Sequence, residues 1–231
     1  MKKWMLLAFI VSHQAVALSP CSPDSRVGSW CEVRLEKLHP TQPGIGQLQV
    51  DVDQTKLAKK GKDKLDSFLE KKEIPVVISP KGDYWLVDRH HLTKALWQQG
   101  VKKARVRIIA RLQDNANFWQ QMEENHWVWL YNERGLPVTP EQLPSHVGDL
   151  PDYPYRSLAG FLQDEGYFEK HEQVYFVEFA WASWLGKKMG WLPVNADNLT
   201  ERLEQAKILA CSSEAKSLPG YPGKMCQSLA K

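Results

Sequence analysis

Tyr84-Trp85-Leu86-Val87-Asp88-Arg89-His90-His91-Leu92-Thr93-Lys94-Ala95-Leu96 is the stretch on which the fold turns. Four apolar residues, Tyr84 to Val87, stop abruptly at an acid, a base and two imidazoles. An apolar period of Leu92, Ala95 and Leu96 then begins at once, so a strand passes directly into a helix. The first N–H groups of a helix lack intrahelical acceptors, and the macrodipole adds partial positive charge there. Such a join receives phosphate or another anion readily. Asp88 can cap those N–H groups, orient an imidazole or hold a metal. His90 and His91 project about 100° apart on a helix, so one can face a site while the other packs or bonds elsewhere.

Working outward, Pro80-Lys81-Gly82-Asp83 is turn chemistry, so Tyr84–Val87 pairs back as a hairpin on the short strand Val76–Ser79. Gly100 stops the helix, and the alternating segment Val101–Leu112 reads as another strand. Upstream, the spacing predicts a strand over Trp30–Leu38 and one helix over Asp53–Lys72, with Leu57, Leu65, Phe68 and Leu69 as its apolar stripe. Beyond Leu112 the pattern is helical: Phe118–Tyr131, Tyr155–Gly166, Val174–Met189 and Asp197–Leu209, with a proline-rich loop over Pro137–Pro154. The expected fold class is α+β, with an α+β domain over residues 18–112 and a helical lobe over 113–231.

Met1-Lys2-Lys3, the apolar run Trp4–Val11 and Ala15-Val16-Ala17 make a secretory signal over residues 1–17. Its removal takes two lysines, which lowers the formal charge from +3 to +1, so bulk charge makes no case for nucleic-acid binding. Lys59-Lys60, Lys102–Arg107 and Lys187-Lys188 read as solvated faces. Cys21, Cys31, Cys211 and Cys226 form an even set in an exported chain, which suggests disulfides. Three pairings exist, and the local ones, Cys21–Cys31 and Cys211–Cys226, are favoured. No C-x-x-C pair argues for zinc, and no apolar run of 18 residues argues for a spanning helix.

The element order and the D-x-H-H join are similar to those of the ParB/sulfiredoxin superfamily. More specifically the chain resembles its ParB-like nuclease family, through Leu38-His39-Pro40-Thr41-Gln42, Val87–Leu92, Phe118-Trp119 with Met122, Leu143-Pro144, Tyr155–Gly160 and Phe176–Trp181. The resemblance implies a ParB/sulfiredoxin-like fold with the helical lobe packed on it, and a polar motif that meets nucleotide phosphates at the join. Free-serine kinases of the superfamily have a join similar to D-G-H-x-R; here Arg89 stands for the glycine and Leu92 for the arginine. Sulfiredoxins carry a cysteine within the motif and this chain has none, which argues against sulfinic-acid reduction. The helix-turn-helix and dimer domains of partitioning ParB proteins have no counterpart.

In the superfamily the segment after the first strand borders the cleft, which makes His39, Thr41 and Gln42 candidates to face Asp88 and His90. Glu178 sits in a segment apolar almost all round, so its carboxylate must be paired or protonated. Arg156 or His90 is the expected partner. Six tryptophans from Trp97 to Trp184 read as core packing rather than a stacking platform. The expected function is that of an exported, periplasmic or secreted enzyme acting on a nucleotide or nucleic-acid substrate. Asp88, His90, His91, His39 and Glu178 are its candidate catalytic groups; Arg89, Thr41, Gln42 and Arg156 are its candidate binding groups. A divalent ion held partly by carboxylate is the expected cofactor for hydrolysis. The other reading is a secreted binding module that keeps the fold without the phosphate grip.

Overall fold

The computed structural model describes residues 18–170 and 174–229, so the expected signal segment lies outside the described residues. Five strands form one mixed sheet in the order β1-β5-β3-β4-β2. They are β1 (Trp30–Arg34), β2 (Leu38–Pro40), β3 (Pro75–Ile78), β4 (Tyr84–Leu86) and β5 (Lys103–Arg111). The expected hairpin is present: β3 and β4 pair antiparallel, with Val77 opposite Trp85. β5 runs antiparallel to β1 and parallel to β3, and β2 runs parallel to β4.

The run Trp30–Leu38 is two strands rather than the one expected. A 3-10 turn over Leu35–Lys37 separates them and sends β1 and β2 to opposite sides of the sheet. Leu35 and Leu38 are both fully buried. Residues three apart cannot share a face in a strand of period two, but a 3-10 turn eclipses them. Burial of both leucines therefore breaks the strand.

One face of the sheet packs Val33, Val76, Ile78, Leu86, Val106 and Ile108 against Val50, Leu92 and Leu96 of the helices above. Those helices are α1 (Gln47–Ala58), α2 (Lys62–Glu70) and α3 (His90–Gln98). The single helix expected over Asp53–Lys72 is thus a pair, broken before Gly61, the residue that precedes α2, and it begins six residues earlier. The opposite face, Val77 and Trp85, is covered by Phe118 and Met122 of α4 (Phe118–Glu124). α4 is shorter than expected: the chain turns at His126, whose φ is 56°, and Trp129 then donates its N–H to the Thr41 carbonyl at 2.9 Å.

A second core lies among α5 (Pro154–Asp164), α6 (Val177–Lys188), α7 (Leu199–Ala210) and α8 (Lys224–Leu229). Trp181 is fully buried there and stacks on Phe168, as the packing role expected for the tryptophans requires. α1 joins the two cores by lying against α5. Both favoured local disulfides are formed, Cys21–Cys31 and Cys211–Cys226. Among the described residues no helix is long and apolar enough to cross a membrane.

Candidate functional site

The end of β4 and the start of α3 open into a cleft of about 430 Å³ between the sheet lobe and α5 and α6. The turn that makes the join is tight. Asp88 Oδ1 accepts the Arg89 N–H at 2.7 Å, and Arg89 takes the left-handed conformation (φ 66°, ψ 27°) immediately before the helix. That conformation is the natural province of glycine and costs an arginine on the order of 1 kcal/mol. No side chain caps α3, so the N–H groups of His90, His91 and Leu92 are left without helical acceptors at the cleft wall. Asp88 itself is exposed and bonds its neighbour's N–H rather than the helix.

The two imidazoles divide their tasks. His90 is only 6% exposed, and its Nε2 faces the Thr41 N–H at 3.3 Å. A backbone N–H can only donate, so Nε2 carries no proton and His90 is neutral. Its other side bonds the Leu86 backbone. Burial pushes its pKa down to about 4, with Arg156 adding to the fall and Asp88 and the Leu86 bond opposing it. Thr41 completes the joint by donating its hydroxyl to the Leu86 carbonyl at 2.8 Å. His90 and Thr41 thus clamp the end of β2 to the β4–α3 join.

His91 is different. Its Nε2 is buried without a partner among the described residues while the side chain lines the cleft. Burial, then the charges of Arg156, His90 and Lys170, hold it well below the ordinary imidazole range. The opposite wall supplies Arg156 from α5, 8% exposed. Its Nη1 reaches Gln49 Oε1 at 3.3 Å, its Nη2 lies 3.5 Å from Glu178 Oε1, and its Nε has no partner among the described residues. The guanidinium also lies 5.1 Å from the Phe179 ring. Burial lowers its pKa, and Glu178 opposes that shift most strongly.

Glu178 is buried and paired, as a carboxylate in an apolar helix must be, with Arg156 and also with Lys170. Burial alone would raise its pKa; Arg156 and Lys170 together outweigh burial and hold it below the usual carboxylate range. Asp164, at the end of α5, lines the same cleft and is raised, first by burial and also by Asp53, against the charge of Lys56.

Of the residues singled out in the sequence, the cleft wall brings together Gln42, Asp88, Arg89, His90, His91, Arg156 and Glu178. Thr41 stands behind it as part of the clamp, and the Gln42 side chain is tied to the Gly44 carbonyl at 2.8 Å. His39 is elsewhere: its ring packs 4.9 Å from Trp85 on the α4 side of the sheet. Leu38 and Pro40 take the buried positions of β2, so strand alternation turns His39 to the other face. Gln49, Asp53, Lys56, Asp164 and Lys170 line the cleft and were not anticipated. Gln49 lies ahead of the helix start read from the sequence, so no helical face pointed to it. Among the described residues no group of three or more histidines, cysteines or carboxylates converges to hold a metal ion. No step is assigned to the expected divalent ion.

A family model described as "Putative ParB-like nuclease" matches residues 31–187, more than half of the chain. The chain belongs to the ParB-like nuclease family. The crystal structure of protein Atu1540 from Agrobacterium tumefaciens is similar to it at 30% identity and TM-score 0.72, over 84% of this chain and 96% of that one. The C-terminally truncated chromosome-partitioning protein ParB from Caulobacter crescentus, complexed with CTP-gamma-S, is far more distant. It matches at 16% identity and TM-score 0.29, over 88% of this chain and all of that one, too low a likeness to carry an argument. A search of the curated proteins gives no match. The family match spans both the strand–helix join and the α5–α6 wall, so this ParB-like nuclease domain includes both sides of the cleft.

Proposed function

We propose that this protein is an exported enzyme that binds a phosphate-bearing substrate, a nucleotide or nucleic acid, in the cleft and hydrolyses its phosphoester. One observation carries the reading: the uncapped start of α3 shares the cleft wall with a buried arginine whose Nε lacks a partner among the described residues, as does the His91 Nε2. Leaving buried polar groups unmatched costs about 1–3 kcal/mol each, which an anion in the cleft would recover. Arg156 supplies from the helical lobe the guanidinium that is missing at Leu92, and Arg89 adds charge at the mouth.

His91, neutral and without a partner at Nε2 among the described residues, is the general base: its Nε2 takes the proton of the attacking water as the water oxygen bonds to phosphorus. The bond to the leaving oxygen breaks as that bond forms; the leaving oxygen takes a proton from water in the cleft, and His91 gives its own back to solvent. His90, with both nitrogens engaged, positions the join and does not exchange protons. Asp88 holds the turn, and Glu178 orients Arg156 through their ion pair. Export is supported by the two disulfides, which persist in oxidising compartments.

The test is incubation of the purified, oxidised protein with bis(p-nitrophenyl) phosphate and with single- and double-stranded oligonucleotides, with and without divalent metals. Cleavage should fall at least about a hundredfold in His91→Ala. A wild-type rate in that variant rejects His91 as the base. Binding of these ligands with no cleavage under any condition rejects the enzyme in favour of a binding module.

A further inference from the structure

A second hollow of about 310 Å³ adjoins the cleft and shares Asp53, Lys56, Arg89 and Leu92 with it. Its remaining lining is Leu57, Lys60, Phe68 and Lys72, from α1, the turn between α1 and α2, α2 and the turn after it. Two properties set it apart. Its floor is apolar, with Leu57 and Leu92 buried, and the half-buried Phe68 ring stands in its wall. Among the described residues its rim is cationic, with Lys56, Lys60, Lys72 and Arg89 against one lining carboxylate, Asp53. Lys56 lies 3.5 Å from Asp53 and Arg89 lies 3.9 Å from Asp88, which leaves Lys60 and Lys72 to a ligand. The Lys60 and Lys72 ammonium groups stand 4.8 and 5.0 Å from the Phe68 ring centre.

We infer that this hollow is a ring compartment: it stacks on Phe68 a planar aromatic ring belonging to the same ligand whose phosphate meets α3. The inference rests on the reading of α3 as the phosphate end and adds what lies beside that phosphate. An exposed lysine over a phenyl ring holds it weakly, so an incoming base takes its place while the ammonium turns to a neighbouring phosphate. Apolar floor, aromatic wall and cationic rim together match a base flanked by phosphate, whether free as a mononucleotide or within a single strand. A ring without charge would leave the rim unanswered, and a phosphate without a ring would leave the exposed part of Phe68 uncovered. Arg89 and Leu92 line both spaces, which lets one ligand occupy them together.

The experiment compares binding of ribose 5-phosphate, deoxyadenosine 5′-monophosphate and a single-stranded hexadeoxyadenylate to the wild type, Phe68→Ala and Phe68→Trp. The ring-bearing ligands should bind the wild type about five- to hundredfold more tightly than ribose 5-phosphate. Phe68→Ala should remove that preference and leave ribose 5-phosphate unchanged, while Phe68→Trp should keep it. A hexamer tighter than the monomer, with a salt dependence reduced in Lys60→Gln and Lys72→Gln, assigns the compartment to a strand. Equal affinities assign it to a mononucleotide. If all three ligands bind the wild type alike, or Phe68→Ala weakens all of them equally, the ring compartment is wrong and the phosphate site stands. If none binds, both fail.

Discussion

The two adjacent histidines show how a residue type acquires its task from its surroundings. His90 is held neutral by the Thr41 N–H, and its folded pKa of about 4 lies well below the ordinary 6.5. The unfolded chain therefore takes up a proton first as pH falls. Stability is fully present above about pH 6.5 and is lost as pH drops towards 4. The shift amounts to about 3 kcal/mol at its full extent, and His91, lowered in the same direction, adds to it. Urea denaturation between pH 7 and 4.5 should show a midpoint that falls steadily. A His90 resonance titrating near 6.5, with a flat midpoint, would contradict the clamp.

At the scale of elements, the cleft depends on how closely α1 approaches α5. A methyl added at Gly46 would lie 2.7 Å from the Ser157 backbone nitrogen and 2.9 Å from its Cα, and neither atom belongs to a flexible side chain. Gly46→Ala should therefore push α1 away from α5 and destabilise by about 1–3 kcal/mol, read as a lower thermal midpoint. It should also weaken Gln49's hold on Arg156, so phosphate-ester affinity falls in the same variant. A variant of wild-type stability would show that the two helices are free to separate there.

The elements differ in how legible they were, for physical reasons. The hairpin, α3 and β5 followed from local signals: turn residues, alternation, and Gly100 with φ 78° after the helix. The break at Leu35–Lys37 came from a tertiary demand, the burial of both Leu35 and Leu38, which no local pattern announces. The site behaved similarly. The α3 join was visible because its chemistry is contiguous in the chain, and the Glu178–Arg156 pair because an apolar helix forces a carboxylate to find a partner. Lys170 and Gln49 reach the cleft only through the packing of α1, α5 and α6, and His39 leaves it through a side-chain alternation that a three-residue strand hides.

At the scale of the whole molecule, the β4–α3 join and the α5–α6 helices line one cleft, so the chemistry draws on distant parts of the chain. A disulfide staples the chain near each end of the described residues. Cys211–Cys226 closes a loop of 15 residues and ties α8 back to the end of α7. Its removal in a Cys211→Ser/Cys226→Ser variant should cost about 3 kcal/mol by loop-closure entropy. Chemical denaturation checks this value, and an unchanged midpoint would show the staple to be idle. The central claim is that the start of α3 is an anion site completed by Arg156. The most direct measurement is a backbone-amide NMR titration of the oxidised protein with inorganic pyrophosphate. The account predicts saturable shifts concentrated at the His90, His91 and Leu92 amides and at the Arg156 Nε–H. Saturable shifts that lie elsewhere, or none at those four groups, would contradict it.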